Sequence, residues 1–323
     1  MASLVTGGLG FVGAHVVKAL LDDGDNPVVY DVMKMEGSPA SKILSEEEKK
    51  RLKVIFGTVT DRDHLFGVIR DNKIEMIAHI GYLIRPHCEE NPLEGIEINC
   101  KGTTNVLEAG RQLGIKRIAW PSSISVFGYP EYYKETPIGD DARHNPKWFY
   151  GICKSFNEST AHFYSKKFGV HSIGLRLGRT FGWGKWTGGG QEFDSVVEAV
   201  ALNRPVEFPN ADTVTSYVYV KDIATAFVKA LKKKGINGTR VYNTHGYNNT
   251  SGWEMTEILK QINPEAEITP VPGIGELTVP LMKVQAVEEE LGWRPRYELK
   301  EALFEYINIF REQAGLGPLA KTF

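Results

Sequence analysis

The chain has 323 residues, 42% of them hydrophobic and 24% charged, with a formal net charge of -2. That is the profile of an ordinary globular protein, with room for one large α/β domain or a domain plus a smaller lobe. The charge leaves no basic stripe to follow a nucleic-acid backbone, and no apolar run approaches the roughly 18 residues that span a bilayer.

In chain order, Ser3-Leu4-Val5-Thr6 reads as a strand and Phe11 to Leu21 as the helix after it. Further strands are expected at Val28–Tyr30, Lys53–Phe56, Glu75–Ile80, Arg117–Trp120, His171–Arg176 and Arg240–Asn243. Helix-length segments lie at about 92–113 and 148–168, and a last helix near 298–314. Apolar strands alternating with helices imply a parallel sheet covered on both faces. The charged run 45–51 reads as a solvated helix or loop. After residue 178 the pattern loosens. The run 182–190 carries Trp183 and Trp186 among glycines, either as a loop over a substrate or as a surface connection.

The N-terminus turns glycine-rich before an apolar segment can form, so no signal peptide is expected. Cys88, Cys100 and Cys153 have no metal-like spacing. They read as reduced thiols of a cytoplasmic protein, with no metal site.

The first chemical motif is Gly7-Gly8-Leu9-Gly10-Phe11-Val12-Gly13. Glycine spacing alone is weak evidence among 33 glycines. Here the turn follows a strand and opens a helix, so backbone N–H groups can approach a pyrophosphate at the helix N-terminus. Asp31 then ends the second strand. A carboxylate there accepts ribose hydroxyls and repels a 2′-phosphate, which favours NAD over NADP.

Tyr150-Gly151-Ile152-Cys153-Lys154 is a Tyr-x-x-x-Lys match, and Tyr30/Lys34 and Tyr217/Lys221 match as well. An i, i+4 pair shares a face only on a helix, and only Tyr150 opens a helical pattern. It follows the strand ending in Pro121-Ser122-Ser123-Ile124-Ser125. A phenol titrates near 10, too high for an efficient base at neutral pH. An ammonium ~4 Å away is worth up to ~4 kcal/mol, or roughly three pKa units. Tyr150 is thereby a candidate base, Lys154 its tuner, and a serine hydroxyl the group that orients a substrate oxygen.

Taken together, these residues resemble an extended short-chain dehydrogenase/reductase of the NAD-dependent epimerase/dehydratase family. The resemblance runs through Thr6-Gly7-x-x-Gly10-x-x-Gly13, Asp31, Asn99, Ser122-Ser123-x-x-Val126-Phe127-Gly128, Tyr150/Lys154 and Tyr217–Asp222. It implies a Rossmann-type doubly wound parallel sheet over residues 1–178, with segments at about 213–245 returning to it. Residues 179–323 would mainly form a smaller substrate-binding lobe. Catalytic Ser123, Tyr150 and Lys154 are implied, with Ser125 a neighbour. Cofactor contacts are implied for Gly7, Gly10, Phe11, Val12, Gly13, Asp31, Thr58, Val59, Ile80, Gly81 and Asn99, besides Tyr150 and Lys154. Asn99 is alternatively a capping or packing amide. A homodimer through the helices near 92–113 and 148–168 is implied too.

The substrate half departs from the family. Arg179 stands where nucleotide-sugar members usually carry Asn, Thr215 and Ser216 where an Arg holds a phosphate, and Thr58 where an Asp lies beside the adenine. Arg85, His87 and Arg179 are candidate cations for a substrate carboxylate or phosphate; Arg85 and His87 are alternatively solvated loop charges. Trp183 and Trp186 either stack on a substrate ring or pack within their loop. The expected function is NAD-dependent oxidation of a secondary alcohol on a sugar-like or small hydroxy substrate. The alternative is a nucleotide-sugar epimerase with retained NAD. A dehydratase is disfavoured, because Ser123-Ile124 supplies no Asp-Glu pair.

Overall fold

The structure, a computed structural model, describes residues 2–185, 191–246, 249–275, 278–321 and 323. Its centre is a seven-stranded sheet formed by β1 (Ser3–Thr6), β2 (Val28–Asp31), β3 (Lys53–Phe56), β4 (Met76–His79), β5 (Arg117–Ser123), β6 (Ser172–Leu177) and β10 (Thr239–Thr244). The spatial order is β10-β6-β5-β4-β1-β2-β3, and every neighbouring pair is parallel. This is the doubly wound arrangement expected from the alternating pattern. The order reverses between β1 and β4, and that crevice at the carboxyl ends of the strands is where ligands bind in open α/β sheets.

Alternate residues build two cores. Val5, Ala78 and Ala119 face one side, where α1 (Phe11–Asp22) and α6 (Val220–Lys232) cover them. Leu4, Ile77, Ile118 and Trp120 face the other, under α2 (Arg62–Asp71) and α3 (Gly102–Leu113). The period of two in side-chain direction puts both sets of one strand in apolar surroundings. The longest of the described helices, α4 (Phe149–Phe168), carries Tyr150 and Lys154 and ends at Gly169 with φ 72, a left-handed stop that glycine adopts readily.

The segment expected as a helix over 92–113 is helical throughout, but its pitch changes along the way. A helical turn at Pro92–Gly95 runs into a π-helical stretch at Ile96–Lys101, and α3 begins only at Gly102. A Cβ at Gly102 would lie 2.5 Å from Val59 Cγ2, so glycine permits the close approach to the loop after β3. The wider π turn sets the inward face of the stretch, and such bulges gather at functional sites.

A third core surrounds the three-stranded sheet of β7 (Arg179–Phe181), β9 (Val214–Tyr219) and β11 (Asn249–Ser251). It is completed by a two-stranded sheet, β8 (Val206–Phe208) with β12 (Ile268–Pro270), and by α5 (Gln191–Ala201), α7 (Gly252–Ile262) and α8 (Leu299–Gln313). Among the described residues, no helix is long and apolar enough to cross a membrane.

Candidate active site

The glycine turn joins β1 to α1 at the crevice. Gly7 has φ 67, and a Cβ there would lie 2.6 Å from Gly81 Cα. A Cβ at Gly13 would lie 1.9 Å from Gly7 O. Both positions therefore demand glycine, one for its conformation and one for helix-to-strand contact. Gly10 caps α1 with no side-chain hydrogen bond, and the first turn contains no acidic residue. The N–H groups of Phe11, Val12 and Gly13 are thus left to an anion, and the helix dipole favours one. Gly81 follows β4 directly across the turn, and its N–H donates to Thr6 Oγ1 at 3.3 Å. Ile80 precedes it, its N–H donating to Thr6 O.

Asp31 closes the cofactor end of β2. Its Oδ2 accepts from Leu9 N at 2.8 Å and its Oδ1 from Met33 N at 2.9 Å. Burial pushes its carboxyl above the usual range, against the pull of those N–H donors. Each oxygen retains acceptor capacity for a ribose hydroxyl. Thr58 and Val59 lie just beyond β3. Thr58 O accepts from Tyr30 Oη at 3.0 Å, and Val59 O accepts from Asn105 Nδ2 at 2.8 Å. A turn that excludes side chains, free helix N–H groups and a carboxylate at the second strand together suit a dinucleotide.

Ser123 ends β5, and Tyr150 and Lys154 sit one turn apart on α4. The structure brings these three together. Ser123 Oγ donates to Ser125 Oγ at 3.1 Å and accepts from Ser125 N at 3.1 Å, and its hydroxyl is near enough to Tyr150 to act on the phenol. Lys154 is fully buried; its Nζ donates to Pro121 O at 2.6 Å and lies 5.3 Å from the Tyr150 ring centroid. The other two Tyr-x-x-x-Lys matches share no helix. Tyr30 lies in β2, and Tyr217 in β9 with Lys221 on α6 against Glu305.

The electrostatics differ from the simple pairwise argument. Burial pushes the Tyr150 phenol up, the thiols of Cys88 and Cys153 add to this, and the Ser123 hydroxyl pulls the other way. Burial also drives Lys154 well below the ordinary lysine range, while the three cysteines and Glu158 oppose that. The desolvation of both partners outweighs the attraction expected from spacing alone.

Asn99 sits in the π turn, fully buried, and its Nδ2 donates to Cys88 Sγ at 3.5 Å as well as to the loop after β4. Its Oδ1 accepts from Leu83 N at 2.8 Å and its Nδ2 donates to Leu83 O at 2.9 Å. It thereby pins the loop after β4. In that loop the Arg85 guanidinium stacks 4.2 Å from the Trp148 ring, with Nε 3.7 Å from Glu89 Oε1. His87 is half exposed and meets Glu94 at 2.9 Å. Arg179 is on β7, its guanidinium 5.4 Å from the Tyr217 ring and 5.7 Å from Phe193. The Nε of Arg179 is buried and has no hydrogen-bond partner among the described residues. Trp183 packs edge-on against Phe310, ring centroids 5.4 Å apart, and its carbonyl meets His15 Nε2 at 2.9 Å. Trp186 lies outside the described residues.

Three supports of this site carry no motif. Glu89 caps α4, its carboxylate accepting from Phe149 N at 2.9 Å and Tyr150 N at 3.1 Å. Glu158, two turns beyond Tyr150 on the same face, holds Arg176 of β6 through two bonds of 2.8 and 2.7 Å. It also accepts from Ser122, next to Ser123. Tyr82 lies with its ring centroid 3.1 Å from Lys154 Nζ. The helical spacing 150, 154, 158 was the only sequence signal among these.

Comparison with known proteins agrees with this geometry. The profile of the NAD dependent epimerase/dehydratase family matches residues 3–244. A putative UDP-glucose 4-epimerase of Methanocaldococcus jannaschii is 28% identical over 311 residues, covering 94% of this chain and 97% of that protein. In structure, the chain resembles UDP-glucose 4-epimerase of Thermotoga maritima with a TM-score of 0.84 at 23% identity, covering 97% of this chain and 100% of that one. It resembles L-threonine dehydrogenase of Clostridium difficile equally, with a TM-score of 0.84 at 22% identity over 98% and 99% of the two chains. The glycine turn, the acidic end of β2 and the matched family thus coincide, and the chain belongs to the NAD-dependent epimerase/dehydratase family, as an NAD-dependent enzyme of the extended short-chain dehydrogenase/reductase type.

Proposed function

We propose that this enzyme takes hydride from a secondary alcohol of a sugar-like or small hydroxy substrate, with Tyr150 as base. The carrying observation is the convergence of Ser123, Tyr150 and buried Lys154 at the mouth of the parallel sheet. Ser123 orients the substrate oxygen. Tyr150 Oη takes the hydroxyl proton, and the Lys154 ammonium favours the phenolate. Bound NAD supplies the hydride acceptor. Gly7, Gly10 and Gly13 with the N–H groups of Phe11 and Val12 hold its pyrophosphate. Asp31 holds the adenosine ribose, while Thr58, Val59, Ile80 and Gly81 line its path. Lys154 reaches the second ribose, and Asn99 acts by fixing the Leu83 loop beside it.

For the substrate, Arg179 is the strongest candidate, because its buried Nε has no partner among the described residues and an anion would satisfy it. Arg85 and His87 would contribute from the loop after β4, where each already meets a carboxylate. Net oxidation with NADH release is the first reading, since Thr215 and Ser216 stand where a phosphate-holding Arg would be. Nucleotide-sugar epimerisation is the second, favoured by relatives named as UDP-glucose 4-epimerases that match end to end.

The chain also fits a cytoplasmic homodimer. Its three cysteines are free. Ile152, Phe156 and Phe163 of α4 and Leu93 and Ile96 before α3 are exposed, an apolar face suited to a second copy.

The deciding experiment measures NAD retained by the purified protein. It then follows NADH absorbance with polyols, sugars, hydroxy acids and L-threonine, beside interconversion of UDP-glucose and UDP-galactose. Net oxidation predicts exchangeable NAD and NADH accumulation with one of the alcohols. Retained NAD with sugar interconversion and no free NADH would replace it with the second reading.

A further inference from the structure

Lys154 poses a question the triad alone does not answer. Its ammonium is fully buried, and burial is the largest influence pressing it toward the neutral form. A neutral amine would do nothing for the Tyr150 phenol. The nearest carboxylate, Glu158, is committed to Arg176, His144 and Ser122. Cys88, Cys100 and Cys153 approach from the loop after β4, the π turn and α4 itself, in that order. Buried His79 adds no charge, since burial lowers its pKa to about 3.

What the ammonium does touch is the face of Tyr82, 3.1 Å from the ring centroid. That ring is held on its other sides. It lies tilted on His79 with centroids 4.6 Å apart, and its hydroxyl is 3.0 Å from Thr103 Oγ1. Thr103 Oγ1 is in turn 2.6 Å from Asn99 O and 3.2 Å from His79 Nε2, whose Nδ1 is 2.7 Å from Thr6 Oγ1. A chain of buried contacts thus runs from the glycine turn to the ring under Lys154.

We propose that Tyr82 is the positioning residue that keeps Lys154 charged and aimed: its ring face carries one N–H of the buried ammonium, Pro121 O takes the second, and the third is directed toward cofactor and Tyr150. The ring's quadrupole attracts a cation most strongly when water is excluded, which is the condition at Lys154. This rests on the reading of Ser123, Tyr150 and Lys154 as the reacting set.

The test reads Tyr150 ionisation directly, from the near-ultraviolet tyrosinate absorbance of each NAD-loaded protein minus that of the same protein carrying Tyr150→Phe. In Tyr82→Leu the midpoint should rise by about one pH unit or more. In Tyr82→Phe, which keeps the ring and loses only the hydroxyl, it should stay near that of the parent. A ring-fluorinated phenylalanine at position 82 keeps the shape while draining the π face, and should also raise it; this variant decides the matter if Tyr82→Leu does not fold. An unchanged midpoint in the fluorinated variant or in folded Tyr82→Leu overturns the role of Tyr82 alone. If the parent protein shows no Tyr150 titration distinct from its other tyrosines, both this role and the assignment of Tyr150 as base are overturned.

Discussion

Glu89 closes the N-terminus of the helix that carries Tyr150, accepting from the Tyr150 backbone N–H at 3.1 Å and from Phe149 N at 2.9 Å. The carboxylate comes from the loop after β4, and Arg85 approaches it while stacked on Trp148. The loop and the start of the Tyr150 helix are therefore fixed to each other. Glu89→Ala should cost about 1 kcal/mol of stability, as loss of a capping carboxylate does. Misplacement of the phenol should lower kcat by about 10- to 100-fold. Glu89→Gln keeps one acceptor oxygen and should recover part of both. Thermal melts and steady-state kinetics check this; unaltered kcat in Glu89→Ala would show that the cap does not place Tyr150.

Glu158 and Arg176 brace the strand end that presents Ser123. The paired guanidinium and His144 hold the Glu158 carboxyl at about 2, below its ordinary 4.5, although burial pushes upward. A depressed carboxylate pKa contributes stability that is complete above the unfolded value and is lost as pH falls through the folded one. The contribution should therefore fade between about pH 4.5 and about pH 2. Removing one partner of a buried pair costs roughly 3–5 kcal/mol. Denaturant unfolding of Glu158→Gln should show that loss at neutral pH and a flatter acid dependence. Equal acid dependence in both proteins would place the acid sensitivity elsewhere.

Asp31 should set cofactor choice. With Leu9 and Met33 N–H groups already bound, its carboxylate would face a 2′-phosphate at close range. The parent protein should bind NAD about tenfold or more tighter than NADP, at least ~1.4 kcal/mol. Asp31→Ser should narrow that gap by weakening NAD. Dissociation constants from tryptophan fluorescence or calorimetry decide it, and comparable affinity of the parent for both dinucleotides would contradict the role.

The exposed face of α4 should be an interface between copies. Phe163 is 56% exposed and Ile152 50%. Phe163→Glu with Ile152→Glu should convert a dimer to a monomer in sedimentation velocity while NAD binding persists. A parent protein already monomeric at micromolar concentration would exclude this face as a stable contact.

The parts of the site legible in sequence were the local ones. The glycine turn reads clearly because its demands, at Gly7 and Gly13, are set by atoms a few residues away or just across the sheet. Tyr150 and Lys154 read clearly because i, i+4 spacing is a property of one helix. Strand assignments followed from apolar runs, with ends displaced by a residue or two, as at β4 and β6. Glu89 was illegible because its partners are 60 residues distant in sequence, and nothing in a lone glutamate marks a cap donated from elsewhere. The π turn was hidden inside a helical pattern, so Asn99 could not be seen to spend both ends of its amide on Leu83. Pairwise reasoning also placed the Tyr150 phenol low, because spacing reports the lysine nearby and not the burial that acts on both groups.

The most direct test of the whole account is Tyr150→Phe, measured for NAD affinity and for turnover of the compound identified in the substrate screen. The account predicts dinucleotide binding within a few-fold of the parent and turnover reduced by at least about 100-fold, the scale of a lost acid–base group. Turnover close to that of the parent would contradict the assignment of Tyr150 as the base, and with it the reaction built on Ser123 and Lys154.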